Sequence, residues 1–410
     1  MPEATPGALN GLKVLDLSRV LAGPWCAQNL ADLGADVVKV ETPDGGDDTR
    51  KWGPPFLTDV EGNRCDAAYY FAANRNKRSI AVDFRQQDGL ELVHDLARQA
   101  DVIIENFKLD GLRKYGLDVD SIRQTNPNVI YCSITGFGQT GPYAARPGYD
   151  FLLQGMGGLM SFTGQPDGSP GAGPMKTGVA VCDLFTAMYA TTAILAAALH
   201  REKTGEGQYI DCALLDTQIA MLANQSSNWL NGGIVPQRMG NSHPNVVPYS
   251  VFPVADGHII IACGNDRQFR ALTKALGDSG LADDPRFHNN ETRIVNRDEL
   301  VRILTEVLMR LSRAEALELI EAAGVACGPI NNVKEVFEDP QVIAREVVVD
   351  MTDDRGLRSR SVAFPVKMER TPATYRRAPP QLGADGAEIL ADWANYDDAR
   401  LASLRDKGVI

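Results

Sequence analysis

Metal-binding and disulfide patterns are scarce in this 410-residue sequence. Its five histidines do not lie at metal-ligand spacing, and its scattered cysteines include no CxxC pair. A structural zinc site or a disulfide framework would need such spacings. We therefore expect a reduced intracellular protein without a bound metal.

Positive charge and targeting signals are also in short supply. The 41 Lys and Arg residues are outnumbered by 53 Asp and Glu residues, so the net charge is −12. This balance argues against a nucleic-acid partner, although it leaves room for a local basic pocket that binds a phosphorylated ligand. The N-terminus has neither an apolar signal-like run nor an Arg-rich amphipathic pattern. We expect a cytoplasmic protein.

One segment, residues 178–199, has the length and composition of a membrane span. Asp183 and several threonines and small residues reduce its hydrophobicity, and a bilayer helix needs about 20 predominantly apolar residues. The pattern therefore favours a buried helix of a protein that does not cross a membrane.

Common cofactor and nucleophile motifs are absent, since the sequence contains no P-loop, HExxH or GxSxG pattern. One formal fingerprint, GFGQTG at residues 136–141, matches G-x-G-x-x-G and follows a predicted strand. A dinucleotide site needs a helix that opens at the last glycine, but Pro147 and Gly148 would end such a helix within two turns. The context favours a structural turn, and an NAD-dependent oxidoreductase is kept as an alternative.

The first 135 residues alternate short β-rich runs with helical patterns. LKVLDLS, ADVVKVE and DVIIENF are typical of buried strands, and helices of ordinary length separate them. Such βαβ units predict an open, largely parallel sheet of the doubly wound α/β class. We expect a Rossmann-like large domain over residues 1–225.

Beyond residue 225 the pattern changes. SVFPVADGHIIIACG predicts an antiparallel hairpin that turns at Asp256 and Gly257, and two helical patterns follow it. We interpret residues 226–330 as a smaller α+β domain inserted into the large one. Residues 331–410 are expected to return to the large domain.

Asp183 is the least expected residue of the apolar segment, because no basic residue lies close to it in sequence. One interpretation makes it the N-cap of a helix, whose free N–H groups and dipole favour a carboxylate. The other makes it a positioned nucleophile, desolvated on one side and kept ionised by N–H donors. Both predict that a helix starts here, so periodicity does not choose between them.

Several long segments carry a family resemblance. LDLSRVLAGPWCAQNLADLGADVVKVE, GFGQTGPYAARPGYDFLLQGMGGLMSFTG and GVAVCDLFTAMYATTAILAAALH are the most specific of them. In these the sequence resembles, nearly end to end, the class III coenzyme A transferases, the family of formyl-CoA transferase and carnitine CoA-transferase. The resemblance implies an interlocked homodimer in which each subunit has a large Rossmann-like and a small domain.

The resemblance also implies the chemistry. Asp183 matches the family's catalytic aspartate, which forms a mixed anhydride and then an aspartyl-CoA thioester. Coenzyme A and its acyl thioesters would then be substrates, together with a small carboxylic acid, and no cofactor would be held permanently.

Further site residues follow from the resemblance alone. Arg85 and Lys114 would meet the phosphates of CoA, for which cations are suited. The full set of implied CoA contacts is Leu21, Ala22, Thr42, Val82, Asp83, Phe84, Arg85, Asn106, Phe107, Lys114, Gly148, Tyr149 and Asp150.

Departures from formyl-CoA transferase indicate a different acid. That enzyme has glutamine at Leu21, arginine at Thr42 and a glycine-rich loop at the segment GNSHPN. The loop residues Asn241, Ser242, His243 and Asn245 instead resemble those of relatives that act on dicarboxylates, and we hypothesise a dicarboxylic substrate with succinyl-CoA as donor.

Two alternatives share the fold. A 2-methylacyl-CoA racemase needs a base on each face of the reacting carbon, and racemases have histidine where this chain has Tyr149. A non-catalytic binding protein would keep the affinity for CoA without turnover.

Overall fold

The computed structural model describes residues 6–410, and they divide into two compact units. The larger unit contains residues 6–159, 176–233 and 343–410. The smaller unit contains residues 160–175 and 234–342.

The strands are, in chain order, β1 (Lys13–Asp16), β2 (Asp36–Glu41), β3 (Phe56–Thr58), β4 (Arg64–Ala67), β5 (Lys77–Ala81), β6 (Val102–Glu105), β7 (Ile130–Thr135), β8 (Tyr209–Ala213), β9 (Tyr249–Val254), β10 (Gly257–Ala262), β11 (Ala326–Pro329), β12 (Val348–Thr352) and β13 (Arg358–Val362). The helices are α1 (Ala22–Asp32), α2 (Ala68–Phe71), α3 (Gln87–Gln99), α4 (Val119–Arg123), α5 (Asp150–Met156), α6 (Leu159–Phe162), α7 (Val181–Thr204), α8 (Leu214–Ala220), α9 (Asn224–Gly232), α10 (Asp266–Ala275), α11 (Asn290–Val295), α12 (Arg297–Leu308), α13 (Arg313–Ala322), α14 (Val333–Glu338), α15 (Pro340–Ala344), α16 (Gly386–Ala394) and α17 (Asp398–Asp406).

Six parallel strands form the central sheet of the larger unit in the order β5-β2-β1-β6-β7-β8. Numbered along the chain within this sheet, the order is 3-2-1-4-5-6, which is that of the Rossmann fold. The predicted parallel α/β architecture is therefore confirmed. Because the strand order reverses between β1 and β6, a crevice is expected at the carboxyl ends of these two strands.

Alternating side chains of the buried strands supply two cores, one on each face of the sheet. Leu15 of β1 faces a core completed by α3 and by Trp393 of α16, which brings the end of the chain onto the larger unit. Val14 faces the other core, built with α1 and α7.

Helix α7 is long and apolar enough to cross a membrane by length and composition. Its Ala187, Ala190, Ile194 and Ala197 side chains are fully buried in the second core, against α1 and the sheet. One face of α7 is thus buried inside the larger unit, as the sequence predicts, whereas its large apolar side chains Phe185, Met188, Tyr189 and Leu199 are exposed.

The smaller unit is built on the antiparallel sheet β11-β10-β9. The predicted β9–β10 hairpin is present, but its two-residue turn is Ala255 and Asp256, one residue earlier than predicted, because Val254 pairs with Gly257, the first residue of β10. The unit's limits differ from residues 226–330: it takes in 160–175, where Gly240 N–H donates to Gly164 O at 3.0 Å, while α9 belongs to the larger unit. Gly164 has φ +129°, a conformation that side-chain-bearing residues rarely adopt. Hydrophobic periodicity gives no information on such a backbone contact, so the sequence analysis did not predict it.

Candidate functional site

A cavity of about 460 Å³ opens beyond the carboxyl ends of β1, β2, β5 and β6, where the strand order predicts a crevice. The segments that follow these four strands line it. Among the CoA contacts implied by the sequence, those lining this cavity are Thr42, Val82, Asp83, Phe84, Arg85, Phe107 and Lys114.

The cations of this cavity differ in how far they are already paired. Arg85 forms two hydrogen bonds with Asp83, from Nε to Oδ1 at 2.7 Å and from Nη2 to Oδ2 at 3.1 Å, which lower the pKa of Asp83 to about 2. Within residues 6–410, Lys51 and Lys114 form no ion pair, and Lys114 Nζ lies 4.7 Å from the centre of the Tyr115 ring. These two lysines are the cations readiest to meet a phosphate.

Asn106 holds a loop instead of lining the cavity. Its Oδ1 accepts the Arg19 N–H at 3.0 Å, and its Nδ2 donates to Arg19 O at 2.7 Å. The next residue, Val20, has φ +73°, which is strained for a β-branched residue, and its N–H lies 3.2 Å from both oxygens of Asp47. The loop that leads from β1 into α1 is thus fixed by side chains from two other segments.

Leu21 and Ala22 begin α1 directly after this loop, and their exposed fractions are only 6% and 4%. Their side chains therefore contribute to the core of the larger unit. A ligand at Leu21 and Ala22 would therefore have to contact their backbone atoms, not their side chains.

Buried ion pairs support the same loop, and the sequence reasoning missed them. Lys77 Nζ contacts Asp16 Oδ2 at 2.9 Å, and Lys39 Nζ contacts Asp47 Oδ2 at 3.0 Å; all four side chains are inaccessible to solvent. Lys39 also donates to Ser18 O at 2.9 Å. A charged residue inside each apolar strand, Asp16 in VLDLS and Lys39 in VVKVE, was the available signal, because such charges are rarely buried without a partner.

Asp183 is the third residue of α7, and Ala180 occupies the N-cap position without a side-chain hydrogen bond. The N-cap interpretation of Asp183 is therefore wrong. Within residues 6–410 its half-buried carboxylate accepts no hydrogen bond, so the expected N–H donors are missing as well. Burial, followed by the nearby charge of Asp150, raises the pKa of Asp183 to about 7. Close to neutral pH, a substantial fraction of this carboxylate is an unpaired anion.

Asp150 caps the start of α7 from outside the helix, a role that the N-cap interpretation assigned to Asp183. Its Oδ1 accepts the Cys182 N–H at 2.8 Å, and its Oδ2 accepts a hydrogen bond from Gln154 Nε2 at 2.7 Å. Both carboxylate oxygens thus already have donors within the chain.

Gly148 and Tyr149 directly precede Asp150 in the chain. Gly148 packs so tightly on Gly136 that a Cβ on Gly136 would lie 2.5 Å from Gly148 Cα. The first glycine of GFGQTG therefore permits a close backbone contact, and no helix begins at Gly141, as the structural-turn interpretation expected. Tyr149 is 64% exposed.

The predicted substrate loop lies in the smaller unit, where Arg297 organises it. Arg297 donates to the carbonyl oxygens of His243 at 2.8 Å and Pro244 at 3.0 Å. His243 Nδ1 accepts the Asn245 N–H at 3.0 Å, and burial followed by the Arg297 charge lowers the pKa of His243. The imidazole is therefore predominantly neutral at pH 7. Asn241 lies two residues before His243 in the same loop.

A family model described as CoA-transferase family III matches residues 9–386 of this chain. The chain belongs to CoA-transferase family III. The transferase is 52% identical to a succinate–glutarate CoA-transferase of Agrobacterium fabrum, over 96% of this chain and 97% of that protein. It is 41% identical to the human succinyl-CoA:glutarate CoA-transferase, over 98% of this chain and 90% of the human one.

Solved structures agree with this family. A crystal structure of a CAIB/BAIF family protein from Brucella suis is 50% identical to the transferase and superposes with a TM-score of 0.84, over 95% of this chain and all of that one. A protein from Mycobacterium tuberculosis, Rv3272, is 28% identical with a TM-score of 0.82, over 95% of this chain and 100% of its own. The predicted resemblance to CoA-transferases is confirmed, and the protein is a CoA-transferase.

Proposed function

We propose that this transferase moves CoA from succinyl-CoA to a small dicarboxylic acid such as glutarate, with Asp183 as the covalent carrier. The names of the similar proteins from Agrobacterium and human support this choice of substrates. The observation that carries the mechanism is Asp183 itself: a half-buried carboxylate at the start of a helix, with no hydrogen-bond donor within residues 6–410 and a pKa raised to about 7.

Such a carboxylate is suited to nucleophilic catalysis, because desolvation and the absence of donors leave its lone pairs available. Asp183 Oδ attacks the thioester carbon of succinyl-CoA, the C–S bond breaks, and its electron pair leaves as CoA thiolate. The thiolate then attacks the carbonyl carbon of Asp183 in the resulting anhydride. Succinate leaves as a carboxylate, and an aspartyl-CoA thioester remains.

The second half repeats these steps in reverse with the acceptor. A carboxylate of glutarate attacks the aspartyl thioester and again expels CoA thiolate, giving a second anhydride. The thiolate attacks the glutaryl carbon, which forms glutaryl-CoA and regenerates the Asp183 carboxylate. No net proton is taken up, so the chemistry needs a dry site more than an acid or a base.

The cavity at the carboxyl edge of the sheet is the proposed site for the phosphorylated part of CoA. It has the position that nucleotide ligands take in this topology. Lys51 and Lys114 would meet phosphates directly, whereas Arg85 would have to share its donors with Asp83.

For the acid, we propose the loop of the smaller unit that contains Asn241, His243 and Asn245. It brings a neutral imidazole and the guanidinium of Arg297 to one turn. A dicarboxylic acid keeps one carboxylate ionised while the other reacts, and a positive charge of this kind favours it.

The transferase is further proposed to act as an interlocked cytoplasmic homodimer, as the family resemblance implies. Large apolar side chains are exposed on α5, α7 and α9, and patches of this kind mark protein interfaces. They include Phe151, Phe185, Met188, Tyr189 and Trp229. Light scattering coupled to size exclusion should give twice the mass of the chain, and a monomer would contradict this part of the proposal.

The test of the mechanism is a trapping experiment. The enzyme is incubated with succinyl-CoA alone, quenched with hydroxylamine, and digested so that the modified peptide can be located by mass. We expect the label on Asp183, and none in Asp183→Asn, which should retain CoA binding because its shape is nearly unchanged. An Asp183→Asn enzyme that exchanges CoA at the normal rate would refute the mechanism, and a panel of acceptor acids that showed a preference for formate would refute the substrate class.

A further inference from the structure

Asp150 connects three segments around the start of α7. Its Oδ1 accepts the Cys182 N–H at 2.8 Å, directly before Asp183. Its Oδ2 accepts from Gln154 Nε2 at 2.7 Å, and Gln154 Oε1 accepts the Thr177 N–H at 3.0 Å. Gln154 is fully buried. This arrangement fixes the segment before α7, the first turn of α7 and the first turn of α5 relative to one another.

The arrangement reverses what a helix start ordinarily does to a carboxylate. At the third position of a helix, free N–H groups and the dipole would favour the charged form of Asp183. Here the neighbouring N–H of Cys182 is bound by another carboxylate. Asp183 therefore meets a second negative charge where a donor would otherwise be.

We propose that Asp150 is a positioning residue for the nucleophile: it caps the helix that carries Asp183 and places a like charge beside that carboxylate. The like charge destabilises the Asp183 anion. When Asp183 is acylated, its charge leaves with the thiolate of CoA, so the repulsion is relieved along the reaction. This inference rests on the proposed role of Asp183 and gives Asp150 a different task from the CoA contact that the family resemblance implies.

The electrostatic effect agrees with this geometry. After burial, Asp150 is the cause that raises the pKa of Asp183 to about 7. The Tyr69 hydroxyl and the Cys182 thiol also lie near these two carboxylates. Burial and the carboxylate charges raise the pKa of both groups, so both stay neutral near pH 7 and add no charge beside Asp183.

Other ionisable groups on the elements packed against α7 are engaged elsewhere, exposed or neutral. On α1, Asp32 pairs with Arg75 at 2.6 Å. On β8, Asp211 accepts the Gln139 N–H at 2.9 Å. Asp216 of α8 is exposed, and its charge acts on the buried thiol of Cys212. The remaining groups are neutral near pH 7 because burial raises the pKa of each: Cys26, Tyr131, Cys132 and Tyr209.

The test follows single-turnover acylation of Asp183 by succinyl-CoA, with hydroxylamine trapping, as a function of pH. With a pKa of about 7, the wild-type rate at pH 6 should be about one-tenth of that at pH 8. In Asp150→Asn the like charge is gone, so the midpoint should move to lower pH and the ratio should rise toward one. The midpoint should nevertheless stay above 3.8, the ordinary pKa of an aspartate, because Asp183 remains half-buried.

Three further variants separate charge from structure. Asp150→Ser removes the charge and keeps an oxygen that can accept the Cys182 N–H; it should shift the midpoint in the same direction and replaces Asp150→Asn if that variant does not fold. Gln154→Met weakens the same connections without removing the charge, and Glu202→Gln removes an exposed carboxylate about 28 Å away at the other end of α7. Both should keep the wild-type midpoint.

The outcomes are distinct. If both Asp150 variants keep the wild-type midpoint, or if Gln154→Met shifts it equally, the positioning role is refuted. If Asp150→Asn raises KM for succinyl-CoA and leaves kcat unchanged, Asp150 is a ligand contact and the inference is also refuted. Failure of the underlying mechanism looks different, because wild-type enzyme would then yield no trapped Asp183 peptide at any pH.

Discussion

Replacing Asp183 by asparagine should make the protein more stable while it abolishes turnover. A carboxylate whose pKa rises from 3.8 to about 7 on folding is more costly to ionise in the folded state than in the unfolded state. The difference, at 1.36 kcal/mol per pH unit, is about 4 kcal/mol. Because the side chain is partly exposed, solvent screening reduces this, and we expect about 2 kcal/mol.

The sign of the pH dependence follows from proton binding. Between pH 4 and 7 the folded wild-type protein binds more protons at Asp183 than the unfolded chain does, so Asp183 lowers the stability as the pH rises through this range. Above pH 7 both states are ionised and the penalty is constant. An amide at position 183 has no such dependence.

The assay is paired thermal denaturation of wild-type and Asp183→Asn protein at pH 8 and at pH 5. We expect the variant to melt at a higher temperature at pH 8 and the gap to shrink at pH 5. The pairing cancels pH effects on the rest of the protein. A variant that is equally or less stable at pH 8, or a gap that grows at pH 5, would refute the assignment of an uncompensated carboxylate to this site.

Three other substitutions test the scaffold and the CoA cavity. Lys77→Met leaves Asp16 without its closest cation and removes hydrogen bonds to Pro24 O and Asn74 Oδ1, both at 2.9 Å. It should lower the free energy of unfolding by about 3–5 kcal/mol. Urea denaturation measures this, with the exposed Lys203→Met as the control. Asn106→Ala releases the Arg19 backbone and should raise KM for succinyl-CoA about tenfold, since two hydrogen bonds contribute about 1–3 kcal/mol; an unchanged KM would mean that this loop does not contact CoA. Lys114→Met should weaken CoA binding more than Arg85→Met in titration calorimetry, because Arg85 is already paired with Asp83, and the reverse order would contradict this view of the cavity.

The architecture of the larger unit could be predicted from the sequence because its signals are local. Buried strands such as ADVVKVE are separated by amphipathic helices such as α3, and this alternation specifies a parallel sheet. The β9–β10 hairpin was predictable for the same reason, although its turn lies one residue earlier than predicted. Where residues 160–175 pack depends on a long-range backbone contact through Gly164, and no local pattern encodes it.

The site was predictable in part. The resemblance drew attention to Asp183 and to the segments that line the cavity, but it gave no information on what each side chain contacts. Asn106 and Asp150 were expected at a ligand, and the resemblance did not indicate that Asn106 binds the Arg19 backbone or that Asp150 accepts the Cys182 N–H. Such bonds join residues that are 87 and 32 positions apart, and they depend on the tertiary fold.

These side chains explain how the larger unit can hold an unsatisfied carboxylate. An unpaired carboxylate at a helix start would ordinarily rotate to a free N–H or draw the chain into a new contact. Asp150 prevents the nearest such rearrangement because it already binds the Cys182 N–H, and Gln154 in turn holds Asp150. The Ser18–Val20 loop shows the same principle, since Lys39, Asn106 and Asp47 bind its backbone and hold Val20 in its strained conformation. In both places, side chains that are themselves hydrogen-bonded hold a neighbouring group in a state that it would not adopt alone.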